Sequence, residues 1–210
     1  MPQLKFWEMI SPDERVRHAR FYFERDKNAF LIARGTLRQL LGNYIGVKPE
    51  AICFAYNEWG KPSLSESIAT GLKFNIAHSE GIALFAFSAG RELGVDVEFH
   101  RDNIDFDELA NSVFSERERS AFLALPQNQK KTAFFAIWTR KEAYIKARGK
   151  GLAIPLESFD VSQDLENAEI FEVRDLEGDK DRWALQNLEV AYQYSGAIIV
   201  EGKNWKIRRL

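Results

Sequence analysis

The stretches GVDVE at residues 94–98 and WTRKEAYIK at residues 138–146 carry most of the information in this sequence of 210 residues. The first has the β-branched and apolar character of a strand. Asp96 and Glu98 are two residues apart in it, and side chains at that spacing leave a strand on the same face. The first stretch therefore predicts a strand that presents two carboxylates together.

The second stretch predicts a helix with a mixed stripe along one face. Trp138, Glu142 and Lys146 follow one another at four-residue spacing, which places them on the same side of a helix. A glutamate four residues before a lysine is also an ordinary surface pair worth only ~0.3–0.5 kcal/mol. A tryptophan on the same stripe indicates instead a face turned toward protein or ligand.

Together the two stretches predict a magnesium site. Mg²⁺ prefers oxygen ligands and is held by one or two carboxylates together with phosphate oxygens, and Asp96, Glu98 and Glu142 would supply the carboxylates. Lys146 would reach a phosphate oxygen one helical turn further along. The competing interpretation of the strand is an edge strand whose acids are simply solvated.

Composition narrows the class of protein. Lys and Arg total 29 against 31 Asp and Glu, a formal net charge of −2, so attraction of the whole molecule to nucleic acid or to an anionic membrane is not expected. Cys53 is the only cysteine, which excludes an intrachain disulfide and a cysteine-based metal cluster. The longest apolar run, residues 81–87, is too short to span a bilayer. We expect a cytoplasmic protein.

The order of predicted elements indicates an α+β fold. Residues 4–10 are predicted as a strand, and Ser11 with Glu14 as a capping box that opens a helical region reaching about Tyr44. A hairpin is predicted around residues 79–81. In the second half, strands follow a helix that stops at Gly149.

The two halves follow a similar plan. Each has helices followed by an antiparallel meander, and residues 78–85 weakly resemble residues 194–200. We therefore expect a pseudo-dimer with an N-terminal half at 1–90 and a C-terminal half at 91–210, and an active site in the cleft between them.

Several basic side chains are candidates for an anion. His78 lies between a strand and a tight turn, where side chain and amides can meet a phosphate. Lys61 is held in the turn Gly60-Lys61-Pro62, which presents it from a rigid backbone. Arg17 and Arg34 lie on the first helical region, where most such residues are solvated surface charges.

The two stretches resemble the signature motifs of the phosphopantetheinyl transferases. The length resembles the larger, pseudo-dimeric class that activates peptide and polyketide synthetases, and the likeness extends from Ser11-Pro12 through Gly60-Lys61-Pro62 and the His78 turn to the final strands. The resemblance implies transfer of 4′-phosphopantetheine from coenzyme A to a serine of an apo acyl or peptidyl carrier protein, with release of adenosine 3′,5′-bisphosphate. It also implies the 4′-phosphopantetheinyl transferase fold, a monomer, and no nucleic acid or membrane partner.

The resemblance further implies a role for each candidate residue. Asp96, Glu98 and Glu142 would hold Mg²⁺, and Glu142 would also act as the base for the carrier serine. Lys146 would assist departure of the bisphosphate, and Trp138 would shape the site. The coenzyme A contacts would be His78, Lys61, Arg17, Arg34 and Lys146.

Two other functions fit the same residues. One is a different magnesium-dependent enzyme, such as a nucleotide pyrophosphohydrolase. The other is a non-catalytic module that binds coenzyme A or a carrier protein.

Overall fold

The computed structural model describes residues 2–68 and 70–209, and it combines helices with antiparallel strand pairs, so the predicted α+β class is confirmed. The helices are α1 (Pro2–Met9), α2 (Pro12–Ala19), α3 (Glu24–Ile45), α4 (Phe106–Val113), α5 (Glu116–Leu123), α6 (Gln127–Arg148) and α7 (Asp179–Arg182). The strands are β1 (Phe54–Tyr56), β2 (Pro62–Leu64), β3 (Leu72–Ser79), β4 (Ile82–Ala89), β5 (Leu93–Phe99), β6 (Phe159–Val161), β7 (Ile170–Val173), β8 (Trp183–Asn187) and β9 (Tyr194–Glu201). Within the described ranges, no helix is long and apolar enough to cross a membrane.

The chain divides into two compact units. The first comprises Met1–Ala55 and Pro62–Gly71, and the second comprises Tyr56–Lys61 and Leu72–Leu210. The hairpin of β3 and β4 therefore belongs to the same unit as β5 and α6. The predicted halves 1–90 and 91–210, with an active site in the cleft between them, remain a prediction.

In the first unit, a buried ionic cluster joins α2 to α3. The predicted capping box is present: the Ser11 amide donates to Glu14 Oε2 at 2.9 Å. The buried Glu14 carboxylate also pairs with Arg38 at 2.7 Å and with Arg34 at 3.3 Å. Arg38 then donates to the carbonyl of Ile52 at 2.8 Å, which ties the connection after α3 to the cluster.

The strand predicted at residues 4–10 is wrong, because this segment forms α1. Met9 and Ile10 are both buried, three and four residues after Phe6, which is helical rather than strand spacing. The helix packs on α3 at Gly35, where an added Cβ would lie 2.3 Å from the Phe6 ring. Packing against α3 therefore determines the conformation of this segment, which is too short for its apolar residues to define a helical or strand period.

The second unit is organised around β5. This strand pairs antiparallel with β9, which also pairs with β8, so the sheet order is β5-β9-β8. The predicted hairpin of β3 and β4 is confirmed, and its two turn residues, Glu80 and Gly81, both have positive φ, 40° and 87°. Such a two-residue turn matches the twist of the flanking strands.

Helix α6 packs against this sheet and ends where the sequence predicts. Ile137, Tyr144 and Ile145 are fully buried in a core that also contains Ile199 of β9. Gly149 follows the helix in the left-handed conformation with φ 72°, a common glycine C-cap. The buried strand β5 and the buried helix α6 are thus fixed side by side.

Candidate active site

Gly94 lets β5 approach α6 unusually closely. A Cβ added at this position would lie 2.0 Å from the carbonyl oxygen of Ala143 and 2.5 Å from the amide nitrogen of Ala147. Those two alanines are four apart and form a small-residue groove on the helix. Because Gly94, Asp96 and Glu98 share one face of the strand, the acids lie on the face that meets α6.

Asp96 and Lys146 join the two motifs. Lys146 Nζ lies 2.6 Å from Asp96 Oδ1 and 3.4 Å from the carbonyl oxygen of Val95. The Asp96 residue is only 4% exposed, whereas the Lys146 side chain keeps 28% of its exposure. The lysine therefore links a buried carboxylate to solvent.

Burial disfavours the charged forms of two carboxylates in this site, Asp96 and Glu142. Burial raises the pKa of Asp96 to about 7; Lys146 opposes the rise, and the charges of Glu142 and Glu98 add to it. Burial likewise raises the pKa of Glu142, against Lys146 and with Glu98. Asp96 Oδ2 is buried and has no hydrogen-bond partner. Three acids and one lysine thus leave a local excess of negative charge that a further cation would relieve.

Glu98 is held by a neighbouring strand. Ser79, at the end of β3, donates from Oγ to Glu98 Oε2 at 2.8 Å. Ser79 Oγ also accepts the amide proton of Phe99 at 3.1 Å. The second acid of the GVDVE motif is therefore positioned by a serine from outside either motif.

The carboxylates of this site supply the oxygen donors that Mg²⁺ prefers, but they are not arranged around a common metal position. None of the described side chains forms a group of three or more His, Cys, Asp or Glu arranged to hold a metal ion. Lys146 holds one oxygen of Asp96, and Ser79 holds one oxygen of Glu98. The buried, unpartnered Asp96 Oδ2 and the mutual repulsion of three carboxylates are what a hard, oxygen-binding cation would satisfy.

Trp138 lies on the same helix and packs into the protein. Its ring is stacked on Phe134 with centroids 6.4 Å apart and planes at 7°, at the margin of the core beneath α6. It thus helps to fix the helix that carries Glu142 and Lys146.

Lys61 and His78 lie in the second unit with the acids but in different environments. Lys61 Nζ donates to the carbonyl of Ala147 at 2.9 Å, close to the end of α6, and pairs with Glu92 at 3.2 Å. Burial lowers the pKa of Lys61, and Glu92 opposes the change. His78, in contrast, is exposed on β3 opposite Ala83. Lys61 is engaged with the backbone, whereas His78 faces solvent.

Arg17 and Arg34 belong to the first unit. Arg34 is 7% exposed and pairs with Glu14, and its guanidinium lies 5.0 Å from the centre of the Phe54 ring. Arg17 is exposed, with its guanidinium 5.6 Å from the Phe30 ring centre. Neither structural position tests the predicted contact with coenzyme A.

The sequence-based prediction missed Asn75 and Ser79. Both are buried polar residues on β3, and both bond to β5: the Asn75 side-chain oxygen accepts the Val95 amide at 2.9 Å. Asparagine is depleted in strands, so its presence in the predicted strand FNIAH is a signal that the backbone nearby needs a partner.

Two family models match this chain. Residues 92–199 match the 4′-phosphopantetheinyl transferase superfamily, and residues 3–89 match the N-terminal region of a 4′-phosphopantetheinyl transferase. The first match covers the strand β5, the helix α6 and all four carboxylate and lysine positions of the site.

Curated relatives give the same family. The chain is 43% identical over 145 residues to the 4′-phosphopantetheinyl transferase HetI of Nostoc sp., covering 69% of this chain and 61% of that protein. It is 32% identical over 157 residues to the 4′-phosphopantetheinyl transferase Sfp of Bacillus subtilis, covering 75% and 68%. Thus the matched segment spans about three fifths of HetI and about two thirds of Sfp.

Among solved structures, a holo-(acyl-carrier-protein) synthase from Bacillus anthracis in complex with CoA (3′,5′-ADP) matches 53% of this chain and 96% of its own, with 19% identity and a TM-score of 0.43.

Proposed function

The chain belongs to the 4′-phosphopantetheinyl transferase superfamily, as its two motifs predicted, and on this premise we propose that it transfers 4′-phosphopantetheine from coenzyme A to a serine of an apo acyl or peptidyl carrier protein. The second product is adenosine 3′,5′-bisphosphate. The serine oxygen forms a bond to the phosphorus that carries pantetheine, and the bond from that phosphorus to the bisphosphate breaks.

One observation carries the proposal for this chain: the 2.6 Å contact between Asp96 of β5 and Lys146 of α6. It supports a single site built from both motifs, with a buried carboxylate and a partly exposed lysine at its centre. Phosphoryl transfer relies on positioning and on neutralising charge, and it needs few covalent steps from the protein. The residues gathered here are suited to that task.

Asp96, Glu98 and Glu142 are the proposed holders of Mg²⁺. Bound there, Mg²⁺ would polarise the pyrophosphate and offset the charge that develops on the departing bisphosphate. Asp96 can offer its unpartnered Oδ2 while Lys146 remains on Oδ1. Glu98 can offer its second oxygen while Ser79 holds the first.

Glu142 and Lys146 are proposed to move protons and neutralise charge. Burial raises the pKa of Glu142, which brings this carboxylate closer to the range where a general base works well near neutral pH. It would accept the proton of the carrier serine, directly or through water. Lys146 would donate to an oxygen of the bisphosphate as it departs. Trp138 supports both by packing the helix onto the core.

The proposed coenzyme A contacts differ in whether the side chain is already paired within the protein. The exposed His78 is free to approach the ligand from the end of β3. Lys61 and Arg34 would each have to leave an ion pair, with Glu92 and with Glu14. Arg17 is exposed and needs no such change. A cytoplasmic location and a monomeric state belong to the same proposal.

A carrier-loading assay tests the proposal. The protein is incubated with an apo carrier, coenzyme A and Mg²⁺, and the carrier is weighed by mass spectrometry. A gain of one phosphopantetheine on the serine is expected, and none on a carrier whose serine is replaced by alanine. Hydrolysis of coenzyme A without a carrier would instead indicate a pyrophosphohydrolase. Binding without either product would indicate a non-catalytic module.

A further inference from the structure

Two side chains replace the backbone hydrogen bonds between β3 and β5. One edge of β5 pairs with β9 through the backbone. At the other edge, the Val95 amide donates to Asn75 Oδ1 at 2.9 Å, and the Phe99 amide donates to Ser79 Oγ at 3.1 Å. Donors and acceptors are each four residues apart, so both contacts lie on the same edge of each strand. Asn75 and Ser79 therefore satisfy backbone groups that the sheet leaves open.

Ser79 does one thing that Asn75 does not. A hydroxyl has one donor and two acceptor sites, and the Phe99 amide uses an acceptor site. The remaining proton points to Glu98 Oε2 at 2.8 Å. Ser79 is only 6% exposed, so water competes little for this bond. The backbone of Phe99 thus orients a hydroxyl that in turn orients the neighbouring carboxylate.

We propose that Ser79 is a positioning residue that holds Glu98 in the orientation needed for the divalent cation. The inference rests on the proposed function, in which Glu98 is a ligand of Mg²⁺. Residues that bond to a metal ligand restrict its rotamers and tune its affinity, and their loss commonly costs ~10–100-fold in metal affinity. Asp96 lies at the same face of β5 with an unpartnered buried oxygen, so a fixed Glu98 completes a prearranged pair of donors.

Asn75 provides a matched control. Ser79→Ala and Asn75→Ala each leave one β5 amide without its partner, Phe99 and Val95 respectively. The two variants should therefore lose similar amounts of thermal stability. Only Ser79→Ala frees a carboxylate. Ser79→Thr keeps the hydroxyl, and Ser79→Cys keeps the size with a much weaker donor.

The test measures metal affinity directly and does not depend on turnover. Mn²⁺ is titrated into each full-length variant with coenzyme A present, and free Mn²⁺ is followed by electron paramagnetic resonance. Ser79→Ala and Ser79→Cys should raise the Mn²⁺ dissociation constant by ~10-fold or more, while Ser79→Thr and Asn75→Ala stay within about 3-fold of the unsubstituted protein. The Mg²⁺ concentration for half-maximal carrier loading should shift in parallel.

The possible failures are distinguishable. If the unsubstituted protein loads carrier but Ser79→Ala and Ser79→Cys bind Mn²⁺ as tightly as Asn75→Ala, the positioning role is wrong and the proposed function stands. If the unsubstituted protein neither loads carrier nor binds Mn²⁺, both proposals are wrong. Should Ser79→Ala fail to fold, the Ser79→Cys titration decides.

Discussion

Two of the lysine–carboxylate pairs that helix α6 makes, Lys141 with Glu118 and Lys146 with Asp96, lie in completely different surroundings. Lys141 Nζ donates to both oxygens of Glu118, at 2.8 and 2.7 Å, and to the carbonyl of Phe159 at 2.8 Å. Glu118 also accepts the amide protons of Ser115 and Val161, at 2.9 and 2.7 Å. Both side chains are at most 2% exposed. Every polar group of this pair is used by the protein itself.

The Lys146–Asp96 pair, five residues further along the helix, is only partly satisfied by the protein; we call it the unfinished pair, and the Lys141–Glu118 pair the finished pair. Lys146 contacts one oxygen of Asp96, and the second oxygen is buried without a partner. The pKa of Asp96 is raised by burial to about 7. A buried ion pair stabilises a fold only when all of its groups are satisfied. The contrast indicates that the Lys141 pair serves the structure, and it supports the proposal that a bound cation completes the Lys146 pair.

The largest effect expected from this contrast is on activity at the unfinished pair. Asp96→Asn removes the charge while keeping the volume, so carrier loading should fall by at least ~10³-fold, or about 4 kcal/mol of transition-state stabilisation. Mass spectrometry of the carrier over time measures the rate, and circular dichroism verifies folding. A rate within 10-fold of the unsubstituted protein would remove Asp96 from the proposed site. Glu142→Gln should behave in the same way.

Substitutions at the finished pair, Lys141 and Glu118, should change the free energy of unfolding rather than the rate of carrier loading. Glu118→Ala leaves the Lys141 ammonium buried without its counter-ion, which typically costs ~3–5 kcal/mol of unfolding free energy. Urea unfolding followed by fluorescence gives that value. The double variant Glu118→Leu with Lys141→Met removes both charges and should recover a large part of it. Equal stability of Glu118→Ala and the unsubstituted protein would contradict the structural role.

Lys146 should affect rate more than binding. Lys146→Ala removes the proposed partner of the departing bisphosphate, so kcat should fall by ~10²-fold, close to 3 kcal/mol, with the KM for coenzyme A changing little. Steady-state loading at varied coenzyme A separates the two constants. Lys146→Arg, which retains the charge, is the matched control. A change confined to KM would assign Lys146 to ligand binding alone.

The smallest effect is a pH dependence of stability in the absence of metal. The pKa of Asp96 rises on folding from 3.8 to about 7, so its contribution to stability is complete below about pH 4 and is lost as pH rises through 7. With EDTA present, the free energy of unfolding should fall by about 1 kcal/mol or more between pH 5 and pH 8, and Asp96→Asn should remove that part of the dependence. Parallel pH curves for the two proteins would contradict the raised pKa.

Much of the fold followed from local chemistry in the sequence. The predicted Ser11–Glu14 capping box and the glycine that ends α6 have clear residue signatures, and both are present. The wrongly assigned segment is α1, whose helical state depends on packing against Gly35, a contact from distant residues that no local pattern encodes.

The residues of the candidate site could be named from the sequence more readily than the groups to which they bond. Asp96 and Lys146 could be named from spacing because strand and helix periods place them on defined faces. The bond from Ser79 to Glu98 could not, since it depends on how β3 lies beside β5 without a regular backbone ladder. Nor could the engagement of Lys61 with the carbonyl of Ala147, because turn chemistry presents a side chain without specifying what it meets.

Gly94 sets the spacing between β5 and α6, and this position tolerates no larger residue without a change in that spacing. A single methyl group there would collide with main-chain atoms of α6, which have no alternative rotamer to adopt, so strand and helix would have to separate. Any such separation would lengthen the distance that Lys146 of α6 has to span to reach Asp96 of β5. Efforts to alter the specificity of this protein by random substitution should therefore spare position 94, and should look for useful variation among side chains rather than in the spacing of the two elements that carry them.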